Sequence, residues 1–385
     1  MKKLLALLLL SSSLMGQIKL SSTAQISVIT CGPSQVELYS AFGHTAVRVA
    51  DTLQDIDIVF NYGIFDYGQP NFYLNFAKGH LYYKLAMYYF SDFLQSYQEE
   101  NRFVHEQVLN LKPRQVQRYF DFLYWNAAPE NATYNYDYFY DNCATRVRDG
   151  LKKALGDSIA FGDEFIEEER SIRDLCDMYL KEQPWGDLGI DICLGLPMDK
   201  KANARVHHFL PDYFSLATEQ GNVKNANGFA PLVLKKKVLF EGGKSPKISS
   251  LPHPLWFSGL LFVLLLTLSV WEQKKKRWIK AVDIVFFSLV GLLGTLLFVL
   301  WVATSHKAAA QNMNLLWAIP LHFPLVFLLC KQSNGKWLKW YFKLSALLAA
   351  ILLCFWWLLP QGLNLALFPL VVALGMRAWL VGARL

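Results

Sequence analysis

A chain of 385 residues in which 53% of the side chains are hydrophobic and only 18% charged is too apolar for an ordinary soluble protein, so part of it meets lipid. The formal charge of +7 does not mark a nucleic-acid binder, because residues 251–385 hold 12 of the 38 Lys and Arg but only Glu272 and Asp283 among the acids. The remainder is nearly neutral, and nucleic acid is excluded as a partner.

The first residues, "MKKLLALLLLSSSLMG", set Lys2 and Lys3 before an apolar run from Leu4 to Leu10 and then small residues. This is the layout of a secretory signal peptide, expected over 1–24 with cleavage between Gly16 and Gln25, and its apolar core is too short to span a bilayer. Export puts Cys31, Cys143, Cys176 and Cys193 where disulfides form; Cys176 with Cys193 is a plausible pair, and Cys31 is left open.

Residues 25–250 read as one exported α+β domain. Short β-like runs ("QISVIT", "HTAVRVAD", "DIDIVFNYG", "HLYYKLAMYY") are interspersed with helical patterns at 91–102 and 112–127, the second burying Val116, Tyr119, Phe120 and Leu123 on one face. The aromatic stretch "YLNFAKGHLYYKLAMYYF" is most simply a buried core; a surface dipping into the membrane interface is the alternative. "EGGKSPKISSLPHP" at 241–254 is a linker.

Two positions in this domain carry chemistry. In "YDNCATRVRD", Asp141 and Asn142 are N-cap residues and Ala144, Val147, Leu151 and Leu155 make a helical stripe, so Cys143 stands at a helix start, where unpaired N–H groups and the helix dipole favour a thiolate. From this stretch alone a small cysteine packed under the helix is the simpler account. A base changes that, and "ELYSAFGHTAVRV" supplies His44 at a strand start, behind Gly43 and close to Tyr39 and Ser40. Asn61 on the following strand is the candidate to orient the imidazole, with Asp57 second. His80, His105, His207 and His208 compete with His44 for the role of base. No compact ligand spacing links these histidines and cysteines, so neither a metal nor a cofactor is expected. Arg146, one turn beyond Cys143, either contacts a phosphate or pairs with Asp141 or Asp149.

Residues 251–385 contain five apolar runs, 255–271, 284–304, 315–330, 344–359 and 363–380, read as five transmembrane helices. The connections at 272–282 and 331–343 are basic and therefore cytoplasmic, which puts the preceding domain outside by an argument independent of the signal peptide. The outward loop carries His306, Gln311, Asn312 and Asn314, and is either a wet connection or a lipid-headgroup site. Pro320 and Pro324 predict a kinked or broken helix lining a cavity.

The pair "YSAFGHTAVRV" and "DNCATRVRD", histidine before cysteine, resembles a circularly permuted papain-like (NlpC/P60-like) fold. Joined to a five-span tail carrying "SHKAAAQNMNLLWAIP", it is similar to the exported lipoprotein N-acyltransferases of the Lnb family. That resemblance implies a permuted papain-like domain followed by an all-α five-helix bundle in a bacterial inner membrane, the first domain in the periplasm. It implies Cys143 as nucleophile and His44 as base, a phospholipid as acyl donor and a lipoprotein as acceptor; Asn61 is read from the residues. Tyr39, Ser40, Asn142, Arg146, His306, Asn312 and Asn314 are the candidate substrate contacts. Two other readings stay open: a membrane-anchored cysteine hydrolase of peptide, cell-wall amide or lipid ester bonds, and a non-catalytic exported binding module.

Overall fold

The computed structural model describes residues 18–65, 67–225, 228–243, 251–331 and 336–385. The apolar run expected to serve as a signal peptide, and residues 244–250 of the expected linker, lie outside the described residues. Ile18 to Ala24 are docked on the exported domain: the Leu20 N–H donates to Gln117 Oε1 (2.8 Å), and Ser21 donates from its N–H and its hydroxyl to Asp51 (2.6 Å each).

The exported part is built on a seven-stranded sheet. Its strands are β1 (Gln25–Cys31), β2 (His44–Asp51), β3 (Ile56–Ile64), β4 (Tyr82–Tyr89), β5 (Val104–Leu109), β6 (Thr133–Asn135) and β10 (Val233–Phe240), in the spatial order β10-β5-β1-β2-β3-β4-β6, each pair antiparallel. Three short strands, β7 (Ile159–Ala160), β8 (Asn222–Asn225) and β9 (Gly228–Pro231), form a second sheet.

Side-chain alternation covers both faces of the central strand. Ile26 and Val28 of β1 join a large core with Val116, Tyr119, Phe120, Leu123, Ala144, Val147 and Leu151, while Ile29 and Cys31 point to a smaller core with Phe90 and Phe93. The helices responsible are α2 (Phe90–Glu99) on one face, and α3 (Pro113–Ala127) and α4 (Cys143–Leu155) on the other. A further short helix, α1 (Phe72–Lys78), buries none of its residues. Beyond α4 follow α5 (Ile172–Leu180), α6 (Pro184–Cys193) and α7 (Pro211–Glu219). All six cysteines are free, so the expected Cys176–Cys193 bridge is not formed; the two thiols sit on separate helices, Cys176 buried in a local core.

In the C-terminal part, four helices among the described residues are long and apolar enough to cross a membrane, one fewer than expected: α8 (Pro254–Lys275), α9 (Lys280–Val302), α11 (Lys336–Cys354) and the span Leu365–Arg384, whose α-helical portion is α12 (Phe368–Arg384). The third apolar run is not a continuous helix. It holds only α10 (His322–Val326) between 3-10 turns at Met313–Leu316 and Phe327–Cys330, as its two prolines dictate. α9 packs along this run and covers its non-helical backbone. A Cβ on Gly294 would collide with the Ala318 carbonyl and one on Gly291 with the Phe323 amide, so only glycine lets the two backbones meet.

The two acids of the membrane half have one role. Arg377 of α12, fully buried, is bonded to Asp283 of α9 (2.7 and 2.8 Å), to Glu272 of α8 (2.8 Å) and to Ser269 (2.9 Å), and Arg384 also reaches Glu272 (2.9 Å). Three helices are tied by one satisfied ionic network.

Both outward loops grip the α5–α6 region of the exported domain. Asn312 Nδ2 donates to the Ile192 carbonyl (2.7 Å), Gln361 Nε2 to that of Leu194 (3.1 Å), the Gly362 N–H to Asp199 (2.7 Å) and Asn364 Nδ2 to Asp191 (2.9 Å).

Candidate active site

Helix α4 begins where its cap dictates. Asn142 Oδ1 accepts from the Thr145 N–H (3.0 Å), Thr145 Oγ1 accepts from the Asn142 N–H (2.7 Å), and Asn142 Nδ2 donates to the carbonyls of Phe209 (2.7 Å) and Tyr138 (3.0 Å). Cys143 is thereby fixed in the first turn, buried, with its thiol toward the sheet. Opposite it, the β2–β3 ladder ends at Val47↔Phe60, so His44 and Asn61 stand on strand ends that have parted.

His44 Nε2 lies 2.6 Å from Asn61 Oδ1. An amide oxygen only accepts, so Nε2 carries the proton and Nδ1 is the nitrogen left for the thiol, with which His44 is hydrogen-bonded. Burial of Cys143 opposes its ionisation. The charge and hydrogen bond of His44, with the N–H groups of Thr45 and Ala144, outweigh that and leave the thiol below its ordinary value. Burial likewise works against a charged His44, but Cys143 and then Asn61 outweigh it and raise the imidazole. The two shifts share one cause, and they favour a thiolate–imidazolium pair.

Residues that the sequence did not single out surround this pair. Tyr97 of α2 lies parallel to the His44 ring (15°, centroids 6.4 Å apart), with its hydroxyl beside Cys31, the residue paired with His44 across β1 and β2. Arg102 lies over the Tyr97 ring, 4.7 Å from its centroid, and donates from Nε to the Gly32 carbonyl (2.7 Å). Burial pushes the Cys31 thiol well up, so beside the ionisable Cys143 sits a thiol that stays protonated.

Of the expected substrate contacts, Tyr39 is exposed beside Phe65 (6.3 Å), and Ser40 is buried, its hydroxyl donating to the carbonyls of Ser34 and Glu37 (2.9 Å each). Arg146 pairs with Asp141 (2.5 Å) and lies 3.9 Å over the Tyr134 ring. Asn142 is the helix cap described above. The outward-loop residues are not gathered at the thiol: His306 Nε2 meets the Phe76 carbonyl (3.1 Å), while the buried Asn312 and Asn314 both donate to the Ile192 carbonyl. Asp57, the second candidate for the orienting group, is bonded to Arg48 (2.7 Å).

The competing histidines have other surroundings. His80 meets Ser305 (3.2 Å), His105 stacks on Phe103 (4.3 Å), His207 Nδ1 contacts the Asn203 carbonyl (2.9 Å), and His208 lies among Phe161, Phe165 and Phe214 with its pKa lowered to about 4, chiefly by burial. Three carboxylates at the contact with the membrane part also went unread: Asp177, Asp187 and Asp191 approach within 4.8 Å of one another. Asp191 is held by Arg173 (2.7 Å), whereas burial followed by the Asp191 charge pushes Asp177 up to about 8 and Asp187 up to about 6.

Comparison with known families places these two halves together. Residues 17–168, which include His44, Asn61 and Cys143, match the Lnb N-terminal periplasmic domain, and residues 246–383 match the Lnb transmembrane domain. The chain belongs to the Lnb family. No curated protein and no solved structure matches it. As an Lnb-family chain it is a membrane protein of acyltransferase type, with a periplasmic N-terminal domain on several apolar C-terminal helices. Segment 169–245, which neither match covers, supplies α5, α6 and the partners of Asn312, Gln361, Gly362 and Asn364.

Proposed function

We propose that this Lnb-family protein is a lipoprotein N-acyltransferase of the bacterial inner membrane, working through a thioester on Cys143. One observation supports the reading most: a buried thiol, lowered in pKa by a histidine that an asparagine orients, held in a periplasmic domain clamped to the outer ends of membrane helices. The order His44 before Cys143, with the cysteine opening a helix packed on an antiparallel sheet, supports a permuted papain-like description of that domain. We read the broken third run as a fifth crossing.

In the first half-reaction the Cys143 thiolate attacks the carbonyl of a phospholipid acyl ester. The His44 imidazolium gives its proton to the departing glycerol oxygen, leaving a lysophospholipid and a thioester. In the second, the α-amine of a lipoprotein's N-terminal diacylglyceryl-cysteine attacks the thioester while His44 takes a proton from the amine. The C–S bond breaks, an amide forms, and the thiolate–imidazolium pair is restored. Backbone N–H groups at the start of α4, that of Cys143 among them, are the donors we assign to the developing oxyanion. Asn61 holds Nε2 throughout, and Tyr39, exposed beside Phe65, is retained as a substrate contact.

The purified protein incubated with phospholipid and a synthetic diacylglyceryl-cysteine peptide should yield N-acylated peptide and lysophospholipid in equal amounts, and Cys143→Ser should yield neither. Free fatty acid without N-acylated peptide would replace this reading with the hydrolase.

A further inference from the structure

We propose that the segment around α1 is a membrane-contacting lip: its aromatic side chains rest in the outer leaflet and lead a phospholipid acyl chain to Cys143. The aromatic stretch read from the sequence as a core is, over α1, nothing of the kind. No residue of Phe72–Lys78 is buried, and Tyr67 (64% exposed), Tyr73 (77%), Leu74 (52%) and Phe76 (42%) form an apolar edge that a water-facing surface would not carry.

Its position identifies what covers it. The Ser305 N–H donates to the Lys78 carbonyl (2.8 Å), His306 Nε2 meets the Phe76 carbonyl, and Ser305 Oγ meets His80. Residues 305 and 306 follow directly on the outer end of α9, where Trp301 and Val302 are exposed on a membrane-spanning helix. The closeness of this junction is enforced at Gly79, whose φ of +79° and whose distance to His306 (2.9 Å from a hypothetical Cβ to the backbone nitrogen) exclude a side chain. The lip is thus fastened at the level where a bilayer's interfacial zone begins, which is where aromatic rings are favoured. Residues 67–91 contain Lys78 and Lys84 and no acid, a charge balance suited to anionic headgroups.

From this edge a continuous run of rings leads inward. Phe76 lies 6.2 Å from Phe72, Phe72 5.0 Å from Tyr67, Tyr67 4.9 Å from Phe65, Phe65 5.3 Å from Tyr83 and Tyr83 4.5 Å from Tyr136. Tyr136 and the Cβ of Cys143 both border Gly63, 3.6 and 3.9 Å from where its Cβ would be. The outer rings offer an acyl chain apolar contact, and the inner ones, Phe65, Tyr83 and Tyr136, carry the apolar run into the core beside Cys143. The lipid contact rests on this geometry alone; its use as the donor's route rests also on the proposed acyl transfer.

The test combines two readouts on the full chain in phospholipid nanodiscs. A phospholipid bearing a diazirine on its acyl chain is photolysed and adducts are mapped by peptide mass. Thioester formation is then compared, for wild type and the Tyr73→Glu/Leu74→Glu variant, with a bilayer phospholipid and with a dissolved short-chain ester. We expect adducts on residues 67–76 as well as on the membrane helices, and a fall of roughly tenfold or more in the variant's ratio of bilayer to dissolved donor. Adducts confined to residues 254–385 would overturn the lip, and an unchanged ratio would overturn its use as the donor's route. Adducts on 67–76 in a wild type that forms no thioester with either donor would keep the lipid contact and overturn the route, together with the acyl-transfer reading. A melting profile matching wild type confirms that the variant is folded, and Tyr73→Ser/Leu74→Ser serves if the glutamates disturb it.

Discussion

His44 and Asn61, seventeen residues apart on neighbouring strands, meet through a 2.6 Å contact between Nε2 and Oδ1 that leaves only Nδ1 for Cys143. Asn61→Ala removes the acceptor that fixes both tautomer and ring plane. The rate of Cys143 acylation should drop by about 10- to 100-fold, and that of His44→Ala by about 10²- to 10⁴-fold, the span typical of a positioned base. Single-turnover kinetics measures both.

The same contact predicts a pH dependence. Because His44 lowers the Cys143 thiol, wild-type alkylation by iodoacetamide should follow a titration below that of a free cysteine. In His44→Ala the opposing effect of burial is left without its main counterweight, so the inflection should move up. Cys31, raised by burial, should stay unlabelled in the folded protein throughout. An unmoved inflection in His44→Ala would separate the two side chains.

Tyr97 is a positioning residue. Tyr97→Phe keeps the ring against His44 and should retain most activity, while Tyr97→Ala opens a space behind the imidazole and should lower kcat more than it changes KM, with an altered pH profile. Equal losses in both variants would point instead to the hydroxyl beside Cys31.

How much of this was legible follows from which signals are local. The cap "DN" before Cys143 and Gly43 before His44 are short-range, and each was read where the structure has it. Asn61 was placed by strand order alone, and the parting of β2 from β3 brings it to the imidazole. Tyr97 and Cys31 were not legible, since their relation to His44 exists only through the β1–β2 register and the packing of α2. The prolines announced a broken third run, but its support by Gly291 and Gly294 depends on a backbone approach no periodicity records. The outward-loop asparagines carry no local signal of their partner: the sequence leaves a wet connection and a headgroup site open, and their hydrogen bonds to the neighbouring domain are long-range.

At that domain contact, the raised carboxyls of Asp177 and Asp187 bind protons in the folded protein that they release when it unfolds. Stability from them is therefore full at about pH 4 and is lost as pH rises toward about 8. Asp177→Asn should melt higher than wild type at pH 8 and show a flatter dependence between pH 5 and 8, by thermal unfolding in detergent. A steeper dependence would reverse the sign argued here.

In the membrane part, Arg377→Met leaves Asp283 and Glu272 buried without their main partner and should cost about 3–5 kcal/mol of stability. Steric-trap or denaturant unfolding in bicelles measures it; a neutral effect would mean that water reaches the two acids.

The central claim is that Cys143 carries an acyl group between two lipids, and intact-mass analysis of the protein incubated with phospholipid tests it most directly. The account predicts a fatty-acyl mass increment on wild type that hydroxylamine and a diacylglyceryl-cysteine peptide both discharge, absent from Cys143→Ser and nearly so from His44→Ala. An unmodified wild-type Cys143 under conditions where the peptide is nonetheless N-acylated would contradict it.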